Sequence, residues 1–199
     1  MGAIAFSLPL IVDIVASDEL ASISASYYTE ARDLFVGLLF VVAALMLAYN
    51  GHNRRESIAS KTASIATAGV ALFPTAPLVG DSDWKSFVHY ACAIVLFCIL
   101  AYFCFGPFRE RTKGLAGMKG RRARIYLTCG WVIVLSMVGL VTVKILLPAA
   151  IVSTYKMTYW AEFAALWAFG IAWITAGKVL PFLVEPDEAL RPLKSVKAV

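Results

Sequence analysis

The fold is decided by the stretch Ser86–Phe108, SFVHYACAIVLFCILAYFCFGPF, and by the two segments that follow it. This stretch contains no Asp, Glu, Lys or Arg, and about 20 apolar residues in a helix cross the hydrocarbon core of a bilayer. The next segment, Arg109–Arg124, holds seven basic residues and one acid, and another uncharged run, Ile125–Val143, comes after it. Two apolar runs joined by a short basic connection predict a pair of membrane-spanning helices.

The rest of the chain repeats this pattern. Apolar residues make up 60% of the 199 residues and the mean hydropathy is +0.77, which exceeds what a soluble domain of this length requires. A shorter run at Gly2–Ala16 is the first candidate span, with a helix in the membrane interface as its alternative. Three further uncharged runs are Leu34–Asn50, Thr62–Gly80 and Phe163–Gly177. The last of these reaches the length of a span only if the preceding residues Tyr159–Glu162 are included.

We therefore predict an all-α, polytopic membrane helix bundle over residues 1–180, with six transmembrane helices of which the first is short, and a tail over residues 181–199. Within the third span, Pro74 should break the helix near its outer end, because proline removes a backbone donor and crowds the preceding turn. Small residues recur at every fourth position of the third and sixth spans and predict close helix packing near the centre of the bundle.

The basic residues orient the bundle. Three segments hold 14 of the 18 basic residues: Arg54–Lys61, Arg109–Arg124 and the region from Lys178 onwards. Because these segments alternate with the apolar runs, they fall on one side of the membrane, and the positive-inside rule makes that side cytoplasmic. With six spans, both ends of the chain are then cytoplasmic.

The densest basic segment, Lys119–Arg124, also bears on partners. No aromatic residues are interleaved with its arginines, and it lies between two predicted spans, so we expect contacts with membrane lipids and not with nucleic acid. The four cysteines lie inside predicted helices and are interpreted as packing residues. No P-loop or zinc-binding pattern is present, and we expect neither a cofactor nor a bound metal.

Ionisable residues inside a membrane are costly, and here they gather toward the non-cytoplasmic side. The candidates for a ligand-binding site are listed by position: Tyr28, Arg32, Asp33, His89 and Glu162. In the structural interpretation, Arg32 pairs with Glu162 or Asp33, and His89 bonds a neighbour. In the functional interpretation, the cluster binds a head group through Arg32. Alternatively, Asp33, His89 and Glu162 form the site of a hydrolase, either by holding a divalent metal, which is disfavoured because the chain has only two histidines, or by acid–base chemistry.

Several segments resemble a family of small multi-pass proteins of bacterial inner membranes. They are Ser22–Thr29 with Arg32–Gly37 (SISASYYT and RDLFVG), Ala71–Thr75, His89–Tyr90 and Trp167–Trp173 (WAFGIAW). The resemblance covers most of the chain between Ser22 and Gly177 and implies an inner-membrane location, but no particular reaction. It also implies that five residues belong to the motifs of that family: Arg32, Asp33, Pro74, His89 and Glu162. The chain has a fainter likeness to membrane hydrolases of the ceramidase type. It lacks the set of three histidines that those enzymes use, so their activity is not expected here.

The sequence thus favours a non-catalytic integral membrane protein. We expect it to be an accessory subunit that contacts other membrane proteins or further copies of itself, or to bind a lipid or small amphiphile at its outer face. The alternative is an intramembrane hydrolase that uses Asp33, His89 and Glu162. A small transporter is disfavoured, because neither an inverted repeat nor a charge near the membrane midplane is evident.

Overall fold

The computed structural model describes residues 1–75, 84–185 and 188, and within these ranges the chain is all-α. The main helices are α1 (Gly2–Val15), α2 (Arg32–Ala48), α3 (Arg54–Leu72), α4 (Trp84–Phe103), α5 (Gly117–Leu146), α6 (Ala149–Thr154) and α7 (Met157–Ala176). A 3-10 segment, Ile23–Tyr28, precedes α2, and another, Pro181–Leu183, follows α7. Helix α4 continues into a π-helical turn, Cys104–Phe108, which contains Pro107.

Each apolar run of the sequence forms a helix over most of its described residues, but several bounds differ from the prediction. Helix α3 begins at Arg54, well before the uncharged run, because Asn53 accepts a hydrogen bond from the amide of Glu56 and caps the helix. It ends at Leu72, two residues before Pro74, as predicted. The final residues of that predicted span, 76–80, lie outside the described residues. The short helix α6, which starts after Pro148, was not predicted.

The helices pack in a ring. Helices α1 to α5 each contact the next one in the chain, α5 contacts α7, and α7 returns to α1. Close approach of α1 and α7 depends on glycine, since a Cβ atom on Gly170 would lie 3.0 Å from the carbonyl oxygen of Gly2. The small-residue faces of α3 and α7 are buried, but each helix is one member of the ring, and large side chains such as Phe103 and Phe169 fill the interior.

The ring has two ends. One end, which we call the basic end, is formed by residues 49–53, residues 109–116 and the segment after α7. Here Arg111 forms an ion pair with Glu56, and Arg122 forms one with Glu188. The opposite end is formed by residues 16–31, the end of α3 and α6, where Lys156 pairs with Glu19 at 2.9 Å. The three basic segments of the sequence therefore contact one another at a single end, as far as their residues are described.

The outer surface of the ring is apolar. Large hydrophobic side chains are exposed on α1, α2, α3, α4, α5 and α7, with Ile65 on α3 73% exposed and Ile145 on α5 76% exposed. Two helices are long and apolar enough to cross a membrane, Trp84–Phe108 and Gly117–Leu146. The others fall short for identifiable reasons: α2 has 17 residues, α3 begins with charged residues, and α7 contains Glu162 and three tryptophans.

Candidate functional site

Glu162 connects α7 to the 3-10 segment at the opposite end. Its Oε2 atom accepts hydrogen bonds from the backbone amides of Ile23, at 2.7 Å, and Ser24, at 3.2 Å, while Oε1 accepts one from the Ser24 hydroxyl at 3.4 Å. The 3-10 segment presents these amides because Ser22 caps it, accepting from the amide of Ala25 at 3.0 Å. A carboxylate with two backbone donors forms a strong, directional contact, so Glu162 holds the connection between α1 and α2 against α7.

His89 completes the broken end of α3. Its side chain is buried, with 2% of the residue exposed, and its Nδ1 atom lies 2.7 Å from the carbonyl oxygen of Phe73. A carbonyl oxygen only accepts, so Nδ1 carries the hydrogen and donates it. Phe73 directly precedes Pro74, where the helix ladder ends, and its carbonyl needs a partner from elsewhere. His89 supplies that partner from α4.

Tyr28 and Arg32 lie beside this contact. The Tyr28 hydroxyl donates to the carbonyl oxygen of Thr75, which ties the 3-10 segment to the end of α3. The Arg32 guanidinium donates to the Tyr27 hydroxyl at 3.0 Å and lies 4.5 Å above the centre of the Tyr27 ring. Both Arg32 and Asp33 are exposed. The predicted pairing of Arg32 with Glu162 or Asp33 is not among the ion pairs of the described residues, where Arg32 contacts Tyr27 and Glu162 accepts from backbone amides.

The three residues proposed for acid–base chemistry are not brought together. Asp33 is exposed at the start of α2, His89 is buried against α3, and Glu162 bonds the 3-10 segment. In the described ranges, no three or more His, Cys, Asp or Glu side chains form a group that could hold a metal ion. The ligand-binding role of Tyr28, Arg32, Asp33, His89 and Glu162 stays a prediction, and the geometry gives all of them except Asp33 a contact within the protein.

The most extensively bonded carboxylate of the described residues, Glu56, lies at the basic end and was missed as a candidate. Only 2% of it is exposed. It accepts hydrogen bonds from the side chain of Asn53 at 2.8 Å, the amide of His52 at 3.2 Å and the hydroxyl of Tyr49 at 3.3 Å, and it forms an ion pair with Arg111. The spacing Asn53-x-x-Glu56, which is that of a capping box, was the available sequence signal.

The charges of this pair support each other. Burial raises the pKa of Glu56, but the hydrogen bond and positive charge of Arg111, together with the His52 amide, outweigh burial and hold that pKa below its ordinary value. Burial acts to lower the pKa of Arg111, and Glu56 more than compensates, so that pKa is raised. Both shifts indicate an ionised pair that joins the α2–α3 connection to the α4–α5 connection.

A second ion pair fixes the segment after α7. Arg122 is buried on α5; it donates to the carbonyl oxygen of Leu183 at 3.1 Å and to Glu188 at 2.7 Å. Lys178 contacts the other carboxylate oxygen of Glu188 at 3.0 Å. Burial acts to raise the pKa of Glu188, but these two cations lower it to about 2. The start of the predicted tail is thus packed against α5, whereas residues 189–199 lie outside the described residues.

Two cavities open at the basic end. The first, of about 340 Å³, is lined by residues of the α4–α5 connection and the first turns of α5, including Arg109, Lys113 and Arg124. The second, of about 540 Å³, lies between α5 and α7 and is lined by Arg121, Arg124 and apolar residues. Sequence analysis predicted that the basic segment orients the chain and contacts lipid, but it did not predict the cavities, because the second forms only where α5 packs on α7.

No family model, curated protein or solved structure matches this chain.

Proposed function

We propose that this protein is a non-catalytic, six-span integral membrane protein of the bacterial inner membrane, with its basic end in the cytoplasm, and that it acts as an accessory subunit of a membrane complex. The proposal rests on the surface of the ring. Helices α1 to α5 and α7 would be the six spans, and both ends of the chain would then lie on the cytoplasmic side.

The apolar surface supports the membrane location. The most apolar part of each of the two longest helices is mostly uncovered. Only 39% of that part is buried in Trp84–Phe108, and only 17% in Gly117–Leu146. A core helix of a soluble protein would be largely covered, and a soluble monomer rarely exposes so large a contiguous apolar area. Exposed apolar side chains on all six proposed spans, α1 to α5 and α7, suit a bundle surrounded by lipid.

The outer half of α5 supports the subunit role and is the observation that carries it. No residue of this helix after Ile133 is buried, so the neighbouring helices leave the stretch Val134–Leu146 largely uncovered. Gly139 lies in this stretch, and a Cβ atom placed on it would meet nothing within 4 Å. Small residues on an open face let a second helix approach closely in a membrane, where van der Waals packing drives association.

The topology is tested by single-cysteine labelling in a variant without the four native cysteines. The change Leu115→Cys, at an exposed position of the basic end, should give a thiol that reacts with a membrane-impermeant maleimide only after the cytoplasmic side is opened. A cysteine at residue 18, at the opposite end, should react in intact spheroplasts. Extraction of the protein by alkaline carbonate, or the reverse labelling pattern, would refute the membrane location or the orientation, respectively.

The subunit role is tested by Gly139→Leu with Gly37→Leu as the matched control. Both glycines have open space where a Cβ atom would be, so neither change should disturb the bundle. Gly139→Leu should reduce the recovery of a stoichiometric membrane partner, or of a second copy, after gentle detergent extraction, and Gly37→Leu should not. Equal recovery from both variants would refute α5 as the contact surface.

A second candidate, binding of a lipid or small amphiphile at the opposite end, is favoured by one observation. Arg32 and Asp33 are exposed where α2 begins, beside the partly exposed Tyr28, so a cation and an anion are accessible there to a zwitterionic head group. Arg32→Gln should then weaken binding of such a lipid while leaving the recovery of protein partners unchanged. Unchanged lipid binding would remove this candidate and leave the subunit role standing.

A further inference from the structure

Four basic side chains surround the two cavities at the basic end. Arg109 and Lys113 line the first cavity, Arg121 lines the second, and Arg124 lines both. Arg121, Arg124 and Lys113 are exposed, and Arg109 is partly exposed. Because Arg124 is common to the two cavities, the four cations form a single group, which we call the basic cluster.

Most acids of this end are engaged elsewhere: Glu56 pairs with Arg111, Glu188 with Arg122 and Lys178, and Glu185 accepts from the amide of Met118. Glu110 is exposed and follows Arg109 in the chain, but within residues 1–75, 84–185 and 188 no ion pair joins it or another acid to the basic cluster. The four cations of the cluster therefore outnumber the acids left near them, and the complement of the cluster is an anion.

The wall below the cations is apolar. In the second cavity, Ile125 and Thr128 of α5 face Ile171 of α7. Thr128 lies one helical turn beyond Arg124, about 6 Å further along the axis toward the interior of the membrane. Charge at the mouth and an apolar wall below it match an amphiphile whose anionic head is at the interface and whose chain runs along a helix groove.

We propose that the cavity between α5 and α7 binds an anionic phospholipid of the cytoplasmic leaflet. The phosphodiester contacts Arg121 and Arg124, and one acyl chain lies along Ile125 and Ile171. This inference rests on the proposed membrane location and orientation and goes beyond them, because it assigns a lipid class to particular residues.

The test compares Arg121→Gln/Arg124→Gln with Arg54→Gln/Arg55→Gln. Both double variants remove two positive charges from exposed positions at the same end, but Arg54 and Arg55 line neither cavity. Each protein is placed in nanodiscs of phosphatidylcholine that contain a small fraction of phosphatidylglycerol, and the lipids that remain bound after detergent extraction are counted by native mass spectrometry.

We expect the wild type and the Arg54/Arg55 control to retain phosphatidylglycerol. The Arg121/Arg124 variant should bind it about 30-fold more weakly, since each basic residue near an anionic lipid surface contributes roughly a factor of five. Equal retention by the two double variants would overturn the site, as would loss of binding when millimolar inorganic phosphate alone is added, because the cavity would then recognise free phosphate.

Failure of the lipid site and failure of the proposed function give different results. A protein that resists carbonate extraction but shows no preference for phosphatidylglycerol would overturn only the lipid site. A protein released by carbonate would overturn the membrane location and the lipid site together. Unchanged far-ultraviolet circular dichroism of the Arg121/Arg124 variant confirms that a loss of lipid reports on the cavity, and a Lys substitution at both positions should restore binding through charge.

Discussion

Replacing Arg111 by methionine should expose how strongly the basic end depends on one ion pair. The variant leaves the Glu56 carboxylate buried without its cation, although the donors from Asn53, His52 and Tyr49 remain. Breaking a buried pair costs about 3–5 kcal/mol. The Arg111 side chain is 34% exposed, while that of Glu56 is 3% exposed, so solvent screening reduces this figure, and we expect a loss of about 2 kcal/mol of unfolding free energy at pH 7.

The pH dependence identifies the mechanism. In the wild type the pKa of Glu56 is lowered, so the pair contributes stability above the ordinary carboxyl pKa, and this contribution is lost as the pH falls through the folded-state pKa. Without Arg111 the main lowering contribution disappears and burial raises the pKa of Glu56. The ionised carboxylate then destabilises the variant at neutral pH, and the deficit relative to wild type should shrink in acid.

The assay is unfolding in mixed micelles with a rising mole fraction of SDS, followed by tryptophan fluorescence at pH 7 and pH 4.5. Arg55→Met, an exposed position on the first turn of α3, is the matched control and should cost less than about 0.5 kcal/mol. The double variant Glu56→Gln/Arg111→Met should recover most of the loss, since no buried charge is left unpaired. The reasoning is refuted if Arg111→Met is as stable as the control, or if its deficit is the same at both pH values.

Three further outcomes are expected. Glu162→Ala should lower the unfolding free energy by about 2–3 kcal/mol because two backbone amides lose their acceptor, whereas Ser24→Ala should cost less than about 1 kcal/mol; equal losses in SDS titrations would contradict the contact. Gly170→Leu should abolish cross-linking between cysteines placed on α1 and α7, while Gly37→Leu, on an open face, should preserve it. His89→Phe should cost about 1–3 kcal/mol in thermal unfolding, because it leaves the Phe73 carbonyl unpaired, and His89→Gln should cost less. A phenylalanine variant as stable as wild type would show that another donor serves that carbonyl.

The helices were predictable because hydrophobic runs carry enough information by themselves. The start of α3 was not predictable in the same way, because the polar residues Arg54–Lys61 look like a loop between two spans. They are helical because Asn53 caps the helix and Arg111, from the α4–α5 connection, pairs with Glu56. Helix α6 was missed because a helix of six residues has no periodic signal of its own.

The polar contacts were less predictable than the helices. Sequence reasoning paired the charge of Glu162 with that of Arg32, but its partners are backbone amides, which have no signature in a list of side chains. Likewise, His89 bonds the carbonyl of Phe73 just after the end of α3, a partner that is available only because α3 ends there and α4 packs beside it. His89 and Glu162 both lie toward the end opposite the basic end, but their partners depended on tertiary contacts.

Closure of the ring between α1 and α7 constrains how the protein is made. Ribosomes deliver α1 first and α7 last of the main helices, so the face of α1 that stacks Phe6 on Trp167, with ring centres 4.1 Å apart, stays uncovered throughout translation of the intervening helices. In the proposed membrane location the helices would insert individually before they associate. The nascent bundle would then be an open arc of helices, with lipid covering that face of α1 until α7 is synthesised.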